Sequence, residues 1–100
     1  MFLTRSNAVA GIEQLTTGTL TSTAFDSRSI VLRAIEKHAT GVILAHNHPS
    51  GNPRPGQADI ECTDKVRMAL QAFDISLLDH IVVCDGCFYS FADDTVYPVD

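Results

Sequence analysis

The chain has 100 residues, of which 45% are hydrophobic and 19% charged, an ordinary composition for one soluble globular domain. Its formal net charge is −5 and its seven Lys and Arg residues are scattered, which argues against strong, sequence-independent nucleic-acid binding. The sequence has no apolar run long enough to span a membrane and no recognisable secretory signal, so a cytoplasmic location is expected.

The first part of the chain is expected to form a hairpin, a helix and a buried strand. Phe2-Leu3 and the segment from Ala8 to Leu15 predict two strands joined by a turn. Asp26 or Ser27 can cap the helix that follows, Gly41 is its expected stop, and His38 is expected in its last turn, facing solvent. The apolar stripe of this helix is expected to contain Ile30, Val31, Ala34 and Ile35. A short buried strand is then predicted over Val42 to Ala45.

The second part is expected to contain a loop, a second helix and a strand hairpin. Three prolines limit the flexibility of the loop from Pro49 to Gly56. The helix is predicted from about Gln57 to Phe73, with a buried stripe of Ile60, Thr63, Val66, Leu70 and Phe73. The Asp85-Gly86 turn joins a strand over 75–83 to a strand over 88–91, and Asp93-Asp94 predict a terminal turn. Together these elements predict an α/β fold with a mixed sheet.

His46, His48 and Asp59 are the candidate metal ligands. In an extended chain, side chains at i and i+2 leave the same face, so the two histidines can converge on one point. Asp59 follows His48 by 11 residues, near the expected helix start. Two imidazoles and one carboxylate leave a tetrahedral zinc ion one open position for water, as in catalytic sites. Such an ion activates water and polarises a carbonyl, so hydrolysis of an amide or similar bond is the natural reaction class.

Each of these residues also has a plainer interpretation. A single histidine at a strand end is usually a hydrogen-bonded bystander, and an acid in the first turn of a helix is favoured by the helix dipole alone. Asp79 and His80 form a second polar pair, inside an apolar strand, and charged groups are seldom buried unpaired. For that pair, a place beside the metal as partners of its ligands and a place at a solvent-facing strand end are both open.

The three cysteines, Cys62, Cys84 and Cys87, are expected to be reduced thiols, since their number is odd and no signal peptide is recognisable. Cys84-Asp-Gly-Cys87 is formally a CxxC pair, but one pair supplies only half of a structural zinc site. Because Asp-Gly is a favoured two-residue hairpin turn, the two cysteines are interpreted as small residues that flank it.

One family carries the same combination of residues. The run His46-Asn-His-Pro-Ser-Gly51, with Pro55, Asp59, Thr63 and Leu78-Asp-His-Ile81, resembles the RadC proteins of the JAMM (MPN-plus) metalloprotease superfamily. The resemblance covers essentially all of residues 1–100, as a single domain. It implies a cytidine-deaminase-like JAB/MPN fold, with a mixed sheet flanked by helices and zinc held by His46, His48 and Asp59. The sequence lacks the zinc signature of the cytidine deaminases themselves, and an HNH nuclease motif would be dispersed rather than contiguous.

Two positions of the family pattern differ in this sequence. The family's serine, three residues before the aspartate, is thought to support the oxyanion of the tetrahedral intermediate, and that position is Gly56. Losing one such donor typically costs about 10²–10³ in rate. Ser50 is near in sequence and, like Asp79 and His80, is a candidate residue beside the metal. The family's general-base glutamate lies on the strand before the segment that Phe2-Leu3 resembles, so it would align a few residues before Met1, as if the first strand were truncated. Glu13 aligns with the strand after that one and is not assigned the role.

Several functions are compatible with this pattern. The first is a zinc-dependent hydrolase of peptide or isopeptide bonds, acting on a protein or peptide, in a family that carries a DNA-repair label. The second is an MPN-type interaction module that keeps the metal ligands without catalysis. A third, a DNA-repair accessory, depends on the family label alone. A sheet edge left open by a truncated first strand would also favour homo-oligomerisation.

Overall fold

The computed structural model describes residues 1–6, 8–12, 26–48 and 52–99. These residues form two helices, α1 (Ser27–Glu36) and α2 (Gln57–Gln71). They also form the strands β1 (Phe2–Leu3), β2 (Val9–Gly11), β3 (Gly41–Asn47), β4 (Ser76–Cys84), β5 (Cys87–Ser90) and β6 (Thr95–Pro98). Neither of these helices is long and apolar enough to cross a membrane.

The six strands form one mixed sheet in the order β2-β1-β3-β4-β5-β6. β3 and β4 are parallel, and the other neighbouring pairs are antiparallel. Parallel neighbours need a long crossover, which α2 provides here. The predicted α/β class with a mixed sheet flanked by helices is therefore confirmed. β1 lies between β2 and β3, so the described edge on that side is β2, and assembly through it stays a prediction.

The hydrophobic core lies between the two helices and the sheet, where α2 packs against α1 and β4. Its most deeply buried members come from both helices and from the sheet: Phe2, Ile30, Ala34, Val42, Leu44, Val66 and Leu70. Burying one such side chain contributes about 1.5–3 kcal/mol. α2 and β3 both contribute to this core, and the candidate ligands lie at the start of α2 and at the end of β3.

Both ends of α1 are closed by hydrogen bonds. The Asp26 carboxylate accepts from the Arg28 amide at 3.1 Å and from the Ser29 hydroxyl at 2.9 Å, which confirms the predicted cap. The expected stop at Gly41 is wrong, because His38 takes the left-handed conformation, with φ of 53°, and ends the helix. The His38 amide donates to Ile35 and the Ala39 amide to Ala34, as in a Schellman motif. Gly41 instead opens β3.

The apolar stripes of the helices were predicted with two errors of phase. Ile35 is 44% exposed, so it does not belong to the buried face of α1. In α2 the buried face is formed by Asp59, Thr63, Val66 and Leu70, whereas Ile60 and Phe73 are exposed. Phe73 lies beyond the end of the helix, and Ile60 is one residue out of phase with the stripe. Its neighbour Asp59 is buried instead, which is exceptional for a carboxylate.

A bulge in β4 determines which of its side chains face the helices. Val42 pairs with Leu77 and Ile43 with Asp79, so Leu78 is the extra residue. The alternation of faces is therefore reversed after Leu77, and His80 points inward in place of Asp79. The predicted Asp85-Gly86 hairpin is confirmed, with φ of 79° at Gly86. The turn at Asp93-Asp94 leads into β6, a strand that the sequence analysis missed.

Candidate metal centre

β3 places His46 and His48 side by side. The inward face of this strand contains Val42 and Leu44, both buried, and the same alternation brings His46 and His48 to that face at the strand end. Their ring centroids are 5.0 Å apart. The amide of His48 donates to the Val83 carbonyl at 2.9 Å, so the second histidine is still held to β4. The predicted convergence of the two rings is confirmed.

α2 supplies the carboxylate that faces the two rings. Asp59 is the third residue of the helix and is buried, and its Oδ2 accepts from the Gly56 amide at 2.8 Å. Its Oδ1 lies 3.6 Å from His46 Nε2, and its Oδ2 lies 3.2 Å from His48 Nε2. One ligand atom from each of the three residues lies within 4.8 Å of the others, so the cluster could bind a metal.

A buried chain of hydrogen bonds determines where the proton of His46 lies. The Thr63 hydroxyl donates its only proton to the Asp59 backbone carbonyl at 2.7 Å. At its contact with His80 Nδ1, 2.6 Å away, Thr63 must therefore accept, and His80 carries its proton on Nδ1. His80 Nε2 is then an acceptor, and it receives the Nδ1 proton of His46 at 2.7 Å. The Nε2 lone pair of His46 is left facing Asp59.

A backbone carbonyl orients His48 in the same way. The Asn52 carbonyl lies 3.1 Å from His48 Nδ1 and can only accept, so Nδ1 carries the proton. In neutral rings, the bare Nε2 atoms of both histidines thus face a carboxylate at 3.2 and 3.6 Å. Acceptors alone would repel one another at these distances. A proton on a ring or a metal cation would relieve this repulsion.

Burial keeps two of these rings neutral. Burial, together with the neighbouring His46, lowers the pKa of His80 to about 4, although Asp59 and Asp79 act in the opposite direction. Burial also lowers the pKa of His46, opposed by the Asp59 carboxylate. Since imidazole binds metal only when it is deprotonated, the shift at His46 favours ligation near neutral pH. The His80 ring is fully buried and stacks on Phe91, with the centroids 4.7 Å apart.

The other predicted site residues are placed differently. Asp79 faces away from the cluster: its carboxylate accepts from the Ser90 hydroxyl at 2.7 Å, the His80 amide at 2.7 Å and the Ala92 amide at 3.0 Å. These bonds organise the β4–β5 end of the sheet. Ser50 and Glu13 lie outside the described residues. Gly56, at the position of the family's serine, is the residue before α2 and holds Asp59 through its amide.

The sequence analysis missed three contributors to the cluster. Thr63 was placed on the buried face of α2 without a role, although a hydroxyl on such a face has to find a partner. Phe91 was placed in a strand and in the family's pattern, without a role at the site. Asn52 acts through its backbone carbonyl, which no side-chain motif reveals.

Comparison with known proteins identifies the family that this chain resembles. A family model described as RadC-like JAB domain matches residues 1–96. A UPF0758 protein of Acidovorax sp. (strain JS42) is 43% identical over 93 residues, which are 93% of this chain and 39% of that protein. A UPF0758 protein of Flavobacterium johnsoniae is 39% identical over 97 residues, 97% of this chain and 42% of that protein. The chain thus spans about two fifths of the length of these curated relatives.

Proposed function

The chain belongs to the family of RadC-like JAB domains, and from this premise we propose that it is a zinc-dependent hydrolase domain acting on peptide or isopeptide bonds. The observation that carries the proposal is the convergence of two imidazole Nε2 atoms on the buried Asp59 carboxylate. His46, His48 and Asp59 are the proposed ligands. The activity and substrate of any longer protein that contains this domain belong to the same proposal.

The spacing of the three ligands fits zinc. With bonds of about 2.0–2.2 Å, two ligands of a tetrahedral zinc ion lie about 3.3–3.6 Å apart. The 3.6 Å from His46 Nε2 to Asp59 Oδ1 and the 3.2 Å from His48 Nε2 to Asp59 Oδ2 match this separation, and the three ligand atoms as a set lie within 4.8 Å of one another. Imidazole nitrogen favours zinc over magnesium or calcium, which prefer oxygen ligands. One carboxylate and two neutral rings would leave a bound zinc ion with a net charge of about +1, suited to polarising a carbonyl.

The chain's own residues have defined tasks in this proposal. When bound, the metal would supply Lewis-acid polarisation of the scissile carbonyl and activation of water. His80 and Thr63 hold the His46 proton on Nδ1, and the Asn52 carbonyl does the same for His48. The Gly56 amide donates to Asp59 Oδ2 and so orients the carboxylate. Ligands held in this way need little rearrangement on binding a metal.

One observation favours a second candidate, an interaction module that binds metal without catalysis. Gly56 has no side chain, so the position that carries the family's serine offers no hydroxyl to the oxyanion of a tetrahedral intermediate. Without such a donor the rate falls typically by about 10²–10³. Under this alternative the metal stabilises a surface that other proteins recognise.

The metal content of the purified chain tests the proposal. We expect about one zinc per chain by elemental analysis, and loss of that zinc in Asp59→Ala. Asp64→Ala is the matched control, because Asp64 lies on the exposed face of the same helix and pairs with Arg67. Zinc retained by Asp59→Ala, or absent from the wild-type chain after zinc supplementation, would overturn the proposed ligand set. Zinc binding without peptide hydrolysis would support the interaction module instead.

A further inference from the structure

Cys84 and Cys87 face each other across the β4–β5 hairpin. They are the last residue of β4 and the first of β5, and they pair directly in the strand register. The Asp85-Gly86 turn between them is held by a hydrogen bond from the Val99 amide to the Gly86 carbonyl. Their Sγ atoms are 3.2 Å apart. The hairpin thus brings two thiols into contact, beyond the turn-flanking role assigned from the sequence.

The number of nearby ligands separates two uses of such a pair. A tetrahedral zinc ion with bonds of about 2.3 Å holds its sulfur ligands about 3.8 Å apart and needs two further ligands. In the described part of the chain, the one cluster of three metal-capable side chains is His46, His48 and Asp59. A disulfide requires a separation of about 2.05 Å, which the thiols can reach by approaching by about 1 Å. Because no third metal-capable side chain joins the two thiols in the described part of the chain, the pair suits a disulfide better than a metal.

The surroundings of the two thiols favour slow thiol–disulfide exchange with a small oxidant. Both thiols are partly exposed, so a small oxidant can reach them. The hydrogen bond with Cys87 raises the pKa of the Cys84 thiol, which limits the thiolate fraction and the rate of the first attack. The second thiol is already in contact with the first, so closure of the ring needs no large movement.

We propose that Cys84 and Cys87 form a reversible dithiol–disulfide site that is oxidised by low-molecular-weight disulfides. One cysteine thiolate attacks a sulfur of the small disulfide, forming a mixed disulfide and releasing one small thiol. The second cysteine thiolate then attacks the mixed disulfide at the cysteine sulfur and releases the other small thiol. The two cysteines are oxidised by two electrons, the small disulfide is reduced to two thiols, and the two cysteine protons end on them.

Closure of this disulfide is transmitted to the backbone of His48. Val83, the neighbour of Cys84, pairs with Asn47, and its carbonyl accepts from the His48 amide at 2.9 Å. A change of backbone geometry at Cys84 therefore alters a hydrogen bond that positions His48. This link is present without a bound metal, so it stands or falls independently of the proposed hydrolase activity.

Thiol counting on the full chain tests the redox site. The reduced, metal-free protein is incubated with oxidised glutathione, quenched in acid, labelled with a maleimide under denaturing conditions and weighed by mass spectrometry. We expect the wild type to fall from three labels to one, without bound glutathione, and the remaining label to map to Cys62. Cys62→Ser should fall from two labels to none, and Cys84→Ser should retain glutathione on Cys87. Three persistent labels, stable glutathione on the wild-type hairpin, or a disulfide that includes Cys62 would overturn the proposal.

Amide spectra test the link to His48. In ¹⁵N–¹H spectra of the metal-free chain, oxidation should shift the His48 amide signal, while the Leu70 amide in the core of α2 should keep its position. Disulfide formation with an unmoved His48 signal would overturn the transmission.

Discussion

Replacing Thr63 with valine tests whether a buried hydroxyl controls the metal affinity of a histidine it does not touch. Valine keeps the shape of threonine and removes the acceptor of the His80 Nδ1 proton, in a place where both side chains are almost fully buried. In the metal-free variant His80 is expected to move its proton to Nε2 and donate to His46 Nδ1. The His46 proton then lies on Nε2, where it can bond to Asp59 Oδ1, 3.6 Å away in the wild type.

The cost of this change falls on the metal-bound state. To bind a metal through Nε2, His46 must return its proton to Nδ1, and His80 must again carry a proton on Nδ1, now facing a valine methyl. A buried donor without a partner costs about 1–3 kcal/mol. In the metal-free variant His80 Nδ1 faces the same methyl as an acceptor, which offsets part of this cost. At 1.4 kcal/mol per factor of ten, the expected loss of zinc affinity is therefore at most about 150-fold.

Competition with a chromophoric chelator measures the affinity, and ¹⁵N chemical shifts of the imidazole nitrogens report the tautomer of His46. Thr63→Ser is the matched control: it retains the hydroxyl, and should keep both the tautomer and an affinity within about threefold of the wild type, since loss of the methyl group alone acts on packing. Wild-type affinity in Thr63→Val, with the His46 proton still on Nδ1, would refute the reasoning.

Three further predictions concern stability and activity. The pKa of His80 is about 6.5 in the unfolded chain and about 4 in the folded one. In the metal-free chain, the neutral buried ring should therefore contribute fully to the free energy of unfolding above pH 6.5, and about 3 kcal/mol of that contribution should be lost on acidification to pH 4. Urea titrations should show this loss in the wild type relative to His80→Gln, and parallel pH profiles would contradict it. Asp79→Ala removes the acceptor of the buried Ser90 hydroxyl and should lower the free energy of unfolding by about 1–3 kcal/mol. The control Asp64→Ala, at the surface, should lower it by about 0.5 kcal/mol or less. Equal losses in the two variants would show that the hydrogen bonds of Asp79 do not stabilise the fold. Finally, a Cβ at Gly56 would meet Asp59 Oδ2 at an ordinary van der Waals distance of 3.8 Å, so Gly56→Ser should fold. If the proposed hydrolase lacks only this hydroxyl, Gly56→Ser should have a peptidase activity about 10²–10³ times that of Gly56→Ala. Equal activity of the two variants would favour the interaction module.

The ligand motif was predictable because its parts are local. The spacing of His46 and His48 needs only an extended strand, and the position of Asp59 needs only a helix that starts near Gln57. Both elements have strong sequence signals, an apolar run followed by a loop of prolines and glycines. The cap at Asp26 and the hairpin at Asp85-Gly86 were predictable for the same reason, since each depends on a few adjacent residues.

The errors concern the way that elements pack. Ile60 is apolar and next to the α2 stripe, yet the helix buries Asp59 in its place, and Phe73 lies beyond the end of the helix. The Gly56 amide donates to this carboxylate, and the two imidazoles that face it come from the end of β3 rather than from neighbouring residues of α2. The end of α1 at His38 shows the same limit on a smaller scale, since a histidine in the left-handed conformation substitutes for the expected glycine.

By itself, the sequence determined the α/β class, the order of most elements and the three candidate ligands, because these follow from periodicity and from spacing along the chain. It did not determine whether Asp79 or His80 lies beside the three candidate metal ligands. Only the tertiary structure decided that, through one extra residue, Leu78, in the pairing of β4 with β3. Side chains alternate between the faces of a strand, so a shift of one residue exchanges the faces of all that follow. The bulge turns His80 toward Thr63 and His46, and Asp79 toward Ser90.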